Sequence, residues 1–461
     1  MTSMLSPKHP FSDFSRLSTL PAIFVIGIIT LSSGLVSNCI AKLPTSSIIE
    51  LHEYIVPLGV LKKYGNENQT LKVFQLSTGH AGGAGLAARR LNLALNEIGV
   101  ASNFYALSHP DFILGEQEHR MKRSWWSRLL SKANLLLSQL LSKKVFFSIL
   151  SINTINLKEL LGTTNPNLTV LHFHNWYNFV NLKQIHKLLG LGYKIVITLH
   201  DERFFTGGCH YTLDCQGFVS NCESCPLVPK IFWNVVKTNR ISLSVDYDLS
   251  GLQIITPSTW MKNELTKTGI ISPSNIHVLE NVFPDYINQT NTNFTDQQTE
   301  STRKIRIGVA SMDPEIFVKA GNIYKELVEY IKRYAIEIEI IELREPRFKE
   351  LGVDRFWTEI DMLLHLSRAD NSPNVIKEAK FYGLPVISTN VGGIPEALEV
   401  FPDVTLDLEN IDSKRIIEAI FKVYRSGASK EVKSRISLLA EKNSRESLRK
   451  HVSLYRSLVI D

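Results

Sequence analysis

Short apolar runs alternate with segments of helical spacing along most of this 461-residue chain. The runs have strand length and the segments between them have amphipathic period, a pattern that predicts alternating β/α units and parallel sheets. The predicted strands of the first half span residues 71–76, 168–173, 193–199, 253–255 and 276–279, and those of the second half span 305–310, 336–341, 361–366, 385–388 and 404–406. A charged helical segment over about 413–458 closes the chain.

A polar stretch over residues 288–302 interrupts this alternation, since eleven of its fifteen residues are Asn, Gln or Thr. Such a segment is too polar to pack into a core and is typical of an interdomain linker. We therefore predict a first β/α domain over 70–287, a linker over 288–303, a second β/α domain over 304–425 and a helical tail over 426–461. Two such domains imply a cleft between them.

Residues 1–69 precede the first predicted strand and contain an uncharged, largely apolar segment over 17–41. The segment is long enough to span a bilayer, but Pro21, Gly27 and Gly34 dilute it, and no convincing small-x-small cleavage site follows. Three interpretations stay open: a membrane anchor, a cleaved signal peptide, and an extension that is dispensable or buried.

Positive charge is concentrated in one part of the chain. The net charge is +6, and the segment from 120 to 144 contains basic residues but no acidic one: Arg120, Lys122, Arg123, Arg128, Lys132, Lys143 and Lys144. The same segment carries Trp125, Trp126 and a leucine-rich face. This combination is typical of a basic helix that lies on an anionic membrane surface. The alternative is a solvated helix whose leucines pack on the sheet.

Glycines follow the first predicted strand, at Gly82 and Gly83, with Ala84 next to them. A glycine-rich turn between a strand and a helix lets a phosphate or sugar approach backbone N–H groups at the positive end of the helix. A tight structural turn is the alternative. Histidines end two further strands, at His174 and His200, and the carboxyl ends of parallel strands are where α/β sheets place ligands.

The second half has two carboxylates eight residues apart, Asp370 and Glu378, across a predicted helix start. Ionised carboxylates suit sugar and ribose hydroxyls, and the helix N-terminus around Asn374 and Val375 suits a pyrophosphate. Further candidate donor-binding residues lie in the loop after the next strand: Gly392, Gly393 and Glu396.

Four of the five cysteines lie close together in the sequence, at Cys209, Cys215, Cys222 and Cys225. A structural zinc site, disulfides and packed thiols all remain open. So few cysteines in a chain this long do not resemble a secreted disulfide framework, which favours a cytoplasmic protein.

Several of these motifs together resemble a polysaccharide-building bacterial branch of the family 4 glycosyltransferases, which have the two-domain GT-B fold. The resemblance is carried by His200-Asp201, Thr206-Gly-Gly-Cys-His-Tyr211, the Cys222-x-x-Cys225-Pro226 element, and the Asp370 to Glu378 spacing. It implies two Rossmann-like α/β domains facing across a cleft. It also implies retaining transfer of a sugar from a nucleotide-diphosphate-sugar to a lipid-linked saccharide, without a catalytic metal, at the cytoplasmic membrane face.

The resemblance also implies residue roles. His200 and Asp370 would hold the sugar, Glu378 the ribose, and Lys319 the donor phosphates. One residue separates Lys319 from Gly321, where the family has an adjacent Lys-Gly pair. An inactive donor-binding or assembly subunit is therefore the first alternative, and a nucleotide-sugar epimerase is the second.

Overall fold

The structure of the chain is a computed structural model that describes residues 71–460, apart from 108–113, 122–124, 143, 149–154, 156, 163, 178, 284–302, 312, 347, 349–352, 399–401 and 427–428. The apolar segment over 17–41 and the polar stretch over 288–302 lie outside the described residues, as do three of the basic residues: Lys122, Arg123 and Lys143.

Seven parallel strands form the first sheet, in the order β3-β2-β1-β4-β5-β6-β7. Their bounds are β1 Lys72–Ser77, β2 Ser102–Ala106, β3 Glu118–Arg120, β4 Thr169–Asn175, β5 Lys194–Thr198, β6 Leu252–Thr256 and β7 Ile276–Val278. The helices of this half are α1 Gly82–Glu97, α2 Trp125–Leu141, α3 Lys158–Leu161, α4 Leu182–Gly190, α5 Trp233–Val245 and α6 Thr259–Thr266.

Five parallel strands form the second sheet, in the order β12-β11-β10-β8-β9. Their bounds are β8 Ile305–Val309, β9 Ile338–Glu342, β10 Met362–His365, β11 Val386–Thr389 and β12 Val404–Leu406. The helices are α7 Gly321–Arg333, α8 Val353–Glu359, α9 Asn374–Phe381, α10 Ser413–Ser426 and α11 Lys430–Ile460. The predicted fold class, two parallel β/α units, is confirmed.

Both faces of the central part of the first sheet are buried, which explains why strands such as β5 and β6 are largely apolar. Along β5, Ile195 and Ile197 join the large core on one face, while Val196 joins a second core on the other. Because successive side chains of a strand point to opposite faces, a run of apolar residues serves both cores.

The last helix, α11, connects the two halves. Its N-terminal part packs against α9 of the second half, and its C-terminal part covers the first sheet. There Val452, Leu454 and Tyr455 share a core with Val73 and Val170. The end of the chain is therefore part of the first unit's core.

Helix α2 turns most of its large apolar side chains toward solvent. Each of the following is 50–79% exposed: Trp125, Trp126, Leu129, Leu130, Leu136 and Leu140. Among the side chains of α2 that the structure describes, only Leu137 and Leu141 join the neighbouring core, so leucine packing on the sheet accounts for a small part of this face. Within the described part of the chain, no helix combines the length and the apolar character needed to span a bilayer.

Candidate active site

The loops after β1, β5 and β10 meet where the two halves face each other. The side-chain amide of Asn374 donates to the carbonyl of Gly83 at 3.0 Å. That of Asn371 donates to the carbonyl of Leu199 at 2.8 Å. The glycine turn, the neighbour of His200 and the segment beginning at Asp370 therefore come together. Asn371 was not predicted as a site residue, and nothing in its local sequence distinguishes it.

Two helix N-termini meet at this place, those of α1 and α9. Neither helix has a side-chain cap, because the residues before them are Ala81 and Pro373. By contrast, α4 and α6 are capped by the side chains of Asn181 and Ser258. No side chain therefore occupies the first-turn N–H groups of α1 and α9, which can bond to water or to an anionic ligand; in α9 the N–H of Ile376 already donates to the Pro373 carbonyl at 3.2 Å.

The Asp370 carboxylate lies in a cluster with two basic side chains. Its Oδ2 accepts a hydrogen bond from Lys319 Nζ at 2.8 Å and lies 3.5 Å from His365 Nε2. Burial raises the pKa of Asp370, but the charge of Lys319 and the contact with His365 outweigh it and hold that pKa below its ordinary value. Asp370 is therefore ionised at neutral pH. His365 was not predicted, since it reads as part of a buried strand.

Glu378 makes an ion pair between the two halves. Its Oε1 lies 2.8 Å from Nη1 of Arg90 on α1, and both side chains are about one-tenth exposed. The Arg90 guanidinium also lies 4.3 Å from the centroid of the Phe283 ring. From the resemblance, Glu378 was expected to hold the ribose and Arg90 had no expected role, so the structure adds a contact that holds α9 to α1.

Glu396 also reaches across to the first half. Its carboxylate accepts hydrogen bonds from the backbone N–H groups of Thr259 and Trp260, at 2.7 and 2.6 Å. It thereby caps the N-terminus of α6, where a negative charge is favourable. Glu396, predicted as a donor-binding residue, therefore has a partner in the first half of the chain.

Gly392 and Gly393 pack against the backbone of the Asp370 loop. A Cβ atom at Gly392 would lie 2.0 Å from the Asp370 carbonyl oxygen, and one at Gly393 would lie 1.9 Å from that of Asn371. Gly392 also has a φ of +57°, which favours glycine. These glycines permit the close approach that fixes the position of Asp370.

His200 lies at the end of β5, and its Nε2 is 3.0 Å from Nδ1 of His174 at the end of β4. Burial lowers the pKa of His200 to about 4, although the charge of Asp201 acts in the opposite direction. The imidazole is therefore neutral at neutral pH. It can accept or donate hydrogen bonds but carries no charge.

The motif over 206–211 folds back onto the end of β5. His210 Nδ1 lies 2.7 Å from Asp201 Oδ2, and its Nε2 lies 3.0 Å from Ser148 Oγ. This is a Ser-His-Asp arrangement, but Ser148 is only 1% exposed. A substrate cannot reach its hydroxyl, so the arrangement holds the loop in place. Burial and the charges of Asp370 and Asp201 raise the pKa of Tyr211.

The four cysteines are free thiols, three of them buried. The structure forms no disulfide among them, and within the described residues no group of three or more His, Cys, Asp or Glu side chains could hold a metal ion. Packed thiols are the alternative that the structure supports, and the zinc hypothesis has no support.

Comparison with known proteins agrees with this architecture. No protein-family model matches the chain. The chain is 23% identical over 424 residues to WcaC of Escherichia coli (strain K12), named as a candidate colanic acid biosynthesis glycosyl transferase, with 84% of this chain and 99% of WcaC covered.

Solved structures of similar fold include the pneumococcal O-GlcNAc transferase GtfA in complex with UDP and GlcNAc. The TM-score is 0.52 at 10% identity, with 85% of this chain and 100% of that chain covered. Anabaena HepE in complex with UDP gives a TM-score of 0.48 at 14% identity, with 84% and 100% covered. The two β/α units have the GT-B fold.

Proposed function

We propose that this chain is a retaining glycosyltransferase that moves a sugar from a nucleotide-diphosphate-sugar to a lipid-linked saccharide in polysaccharide biosynthesis. The observation that carries the proposal is the meeting of two uncapped helix N-termini beside the Lys319–Asp370 pair and the loop of His200. The similarity to WcaC over most of both chains supports the same class of reaction.

The diphosphate of the donor would lie between the N-termini of α1 and α9. Their N–H groups without a side-chain cap and their helix dipoles favour a negative ligand. A Cβ atom at Gly83 would have no other atom within 4 Å, so there is open space beside this backbone. Lys319 would exchange its bond to Asp370 for one to a phosphate oxygen, which neutralises the leaving group without a metal ion.

The sugar would lie between Asp370 and His200, whose loops are joined by the Asn371 bond. The Asp370 carboxylate accepts hydroxyl hydrogen bonds strongly because it is charged. As the bond from the anomeric carbon to the diphosphate breaks, positive charge develops on the sugar ring. Asp370 would stabilise that charge while Lys319 and the helix N-termini stabilise the departing diphosphate. We assign no protein side chain as nucleophile.

The ribose would be held by Glu378. The ion pair with Arg90 engages Oε1, and a carboxylate has lone pairs on both oxygens, so Oε2 can accept from a ribose hydroxyl at the same time. In this arrangement the donor would contact the same side chain that joins α9 to α1.

Helix α2 would lie on an anionic membrane surface and hold the cleft near a lipid-linked acceptor. Its exposed tryptophans and leucines occur together with the exposed basic residues Arg128 and Lys132. Tryptophan is favoured at headgroup depth, and each basic residue near an anionic leaflet contributes about 1 kcal/mol. We place the protein at the cytoplasmic face, where free thiols such as those of the cysteine cluster persist.

A panel of UDP-, GDP-, dTDP- and ADP-sugars tests the proposed function. The purified chain, with EDTA present, is incubated with each sugar nucleotide, and released sugar and nucleotide are quantified by chromatography. We expect slow hydrolysis of one donor. NMR should show that the sugar released first has the same anomeric configuration as in the donor. Binding without turnover would indicate the donor-binding subunit instead, and release of an epimerised sugar would indicate the isomerase. The variant Gly190→Ala, in open space outside the cleft, serves as the control for substitution.

A further inference from the structure

A chain of buried polar side chains leads from β1 to His200. Gln75 on β1 places its amide oxygen 2.7 Å from His174 Nε2, and the other nitrogen of that ring, Nδ1, lies 3.0 Å from His200 Nε2. Gln75 is fully buried and His174 is 4% exposed. Buried polar groups that bond to one another in this way hold each other in one orientation.

Both imidazoles in this chain are neutral. Burial lowers the pKa of His174 well below its ordinary value, with smaller contributions from the neighbouring rings of His172 and His200. The pKa of His200 is likewise lowered by burial. A neutral imidazole has one N–H and one acceptor nitrogen, so each bond in the chain has a definite direction.

The direction follows from Gln75. Its amide oxygen can only accept, so His174 must donate from Nε2 and its Nδ1 must be the acceptor. His200 then donates from Nε2, and its Nδ1 carries the lone pair. Among the described residues this Nδ1 has no hydrogen-bond partner, and the His200 side chain is partly exposed.

We propose that His174, oriented by Gln75, is a positioning residue that fixes His200 as the Nε2–H tautomer, so that Nδ1 accepts a hydrogen bond from a hydroxyl of the bound sugar. The part of this inference that concerns the sugar rests on the proposed function, whereas the tautomer does not. This hydrogen bond would make the enzyme selective among donor sugars. A donor whose sugar lacks the hydroxyl that reaches Nδ1 would leave that nitrogen without its hydrogen bond and would be used less efficiently.

Nitrogen NMR tests the tautomer without any substrate. The whole chain is labelled with [15N]histidine, and His200 is assigned by comparison with the His200→Gln variant. Long-range proton–nitrogen spectra separate protonated from unprotonated ring nitrogens. We expect His200 to show Nε2 protonated and Nδ1 unprotonated in the wild-type protein. A wild-type spectrum with Nδ1 protonated overturns the proposal, whether or not the chain proves to be a glycosyltransferase.

Two variants then test the role of Gln75. Gln75→Met removes the acceptor but keeps the length of the side chain, and we expect His200 to become a mixture of tautomers. Thr198→Val is the matched control, because it removes one equally buried hydrogen bond, to His172, outside the chain to His200. We expect it to leave the tautomer unchanged.

Kinetics of the same two variants connect the tautomer to the reaction. For Gln75→Met we expect kcat/KM to fall about fivefold to tenfold, the effect of weakening one neutral hydrogen bond. The loss should be smaller with a donor analogue that lacks the contacted hydroxyl. A loss that is equal for every donor analogue, or that Thr198→Val reproduces, would show a merely structural role and overturn the assignment.

Discussion

The Arg90–Glu378 ion pair should couple the stabilities of the two β/α units, and Glu378→Gln tests this. The two charged groups are 2.8 Å apart and about one-tenth exposed, and the ring of Phe283 covers the guanidinium. The substitution keeps the shape of the side chain but leaves a buried guanidinium without its counter-charge. We expect the free energy of unfolding to fall by about 3 kcal/mol, the lower end of the range for breaking a buried ion pair.

The double variant Arg90→Met/Glu378→Gln removes both charges and keeps an unbranched side chain over Phe283. We expect its loss to be smaller than the sum of the two single losses by about 1–2 kcal/mol, since the two residues are in direct contact. Urea unfolding is followed by tryptophan fluorescence and by circular dichroism. Coincident curves justify a two-state analysis. Strictly additive losses would refute the coupling.

The same variants separate the two roles of Glu378. If its carboxylate also binds the ribose, Glu378→Gln should weaken the preferred nucleoside diphosphate by about 1–3 kcal/mol, through loss of charged hydrogen bonds. Arg90→Met keeps the carboxylate and should weaken the nucleotide less. Isothermal titration calorimetry measures both affinities. An unchanged affinity for the nucleoside diphosphate in a folded Glu378→Gln protein would refute the ribose assignment.

Two further predictions concern the surfaces of the first half. Gly83→Ala should leave the fold intact but weaken binding of the nucleoside diphosphate about tenfold, because a methyl group would occupy the space beside the backbone where the phosphates approach. Gly190→Ala, also in open space, should leave that affinity unchanged. Equal affinities of the two variants would contradict the phosphate site. Charge reversal at Arg128 and Lys132 should lower the fraction of protein that sediments with anionic vesicles and leave the fraction that sediments with neutral vesicles unchanged. High salt should also lower the fraction bound to anionic vesicles. Binding that ignores these charges but disappears when residues 1–69 are removed would show that the N-terminal segment is the anchor.

The hydrophobic pattern predicted most of the two sheets but missed β2 and β3, the two strands at one end of the first sheet. Central strands such as β5 and β6 are largely apolar because both of their faces are buried. By contrast, β2 alternates between buried and partly exposed positions, and β3 consists of three polar residues, Glu118, His119 and Arg120. Its position depends on pairing with β2, and no signal in its own sequence shows that.

Strand ends could be located from the sequence, and with them the loops of His200 and Asp370. Contacts between the halves could not. Glu396 caps a helix that begins 137 residues earlier in the chain, and Arg90 belongs to a helix whose sequence reads as ordinary amphipathic packing. Such pairs depend on how the two units face each other. The sequence spacing of the cysteines is compatible with packed thiols, with disulfides and with a zinc site. Only the positions of their sulfur atoms in the fold distinguish these three possibilities.

The central claim is that the cleft binds a nucleoside diphosphate at the two helix N-termini and Lys319. Titration calorimetry with UDP, GDP, dTDP and ADP, in EDTA, measures this binding in the wild-type protein and in Lys319→Met. We predict that one of the four nucleotides binds without metal and that the substitution weakens it about tenfold, or about 1.4 kcal/mol, by removing one charged contact. No binding by any of the four, or binding that Lys319→Met leaves unchanged, would contradict the account.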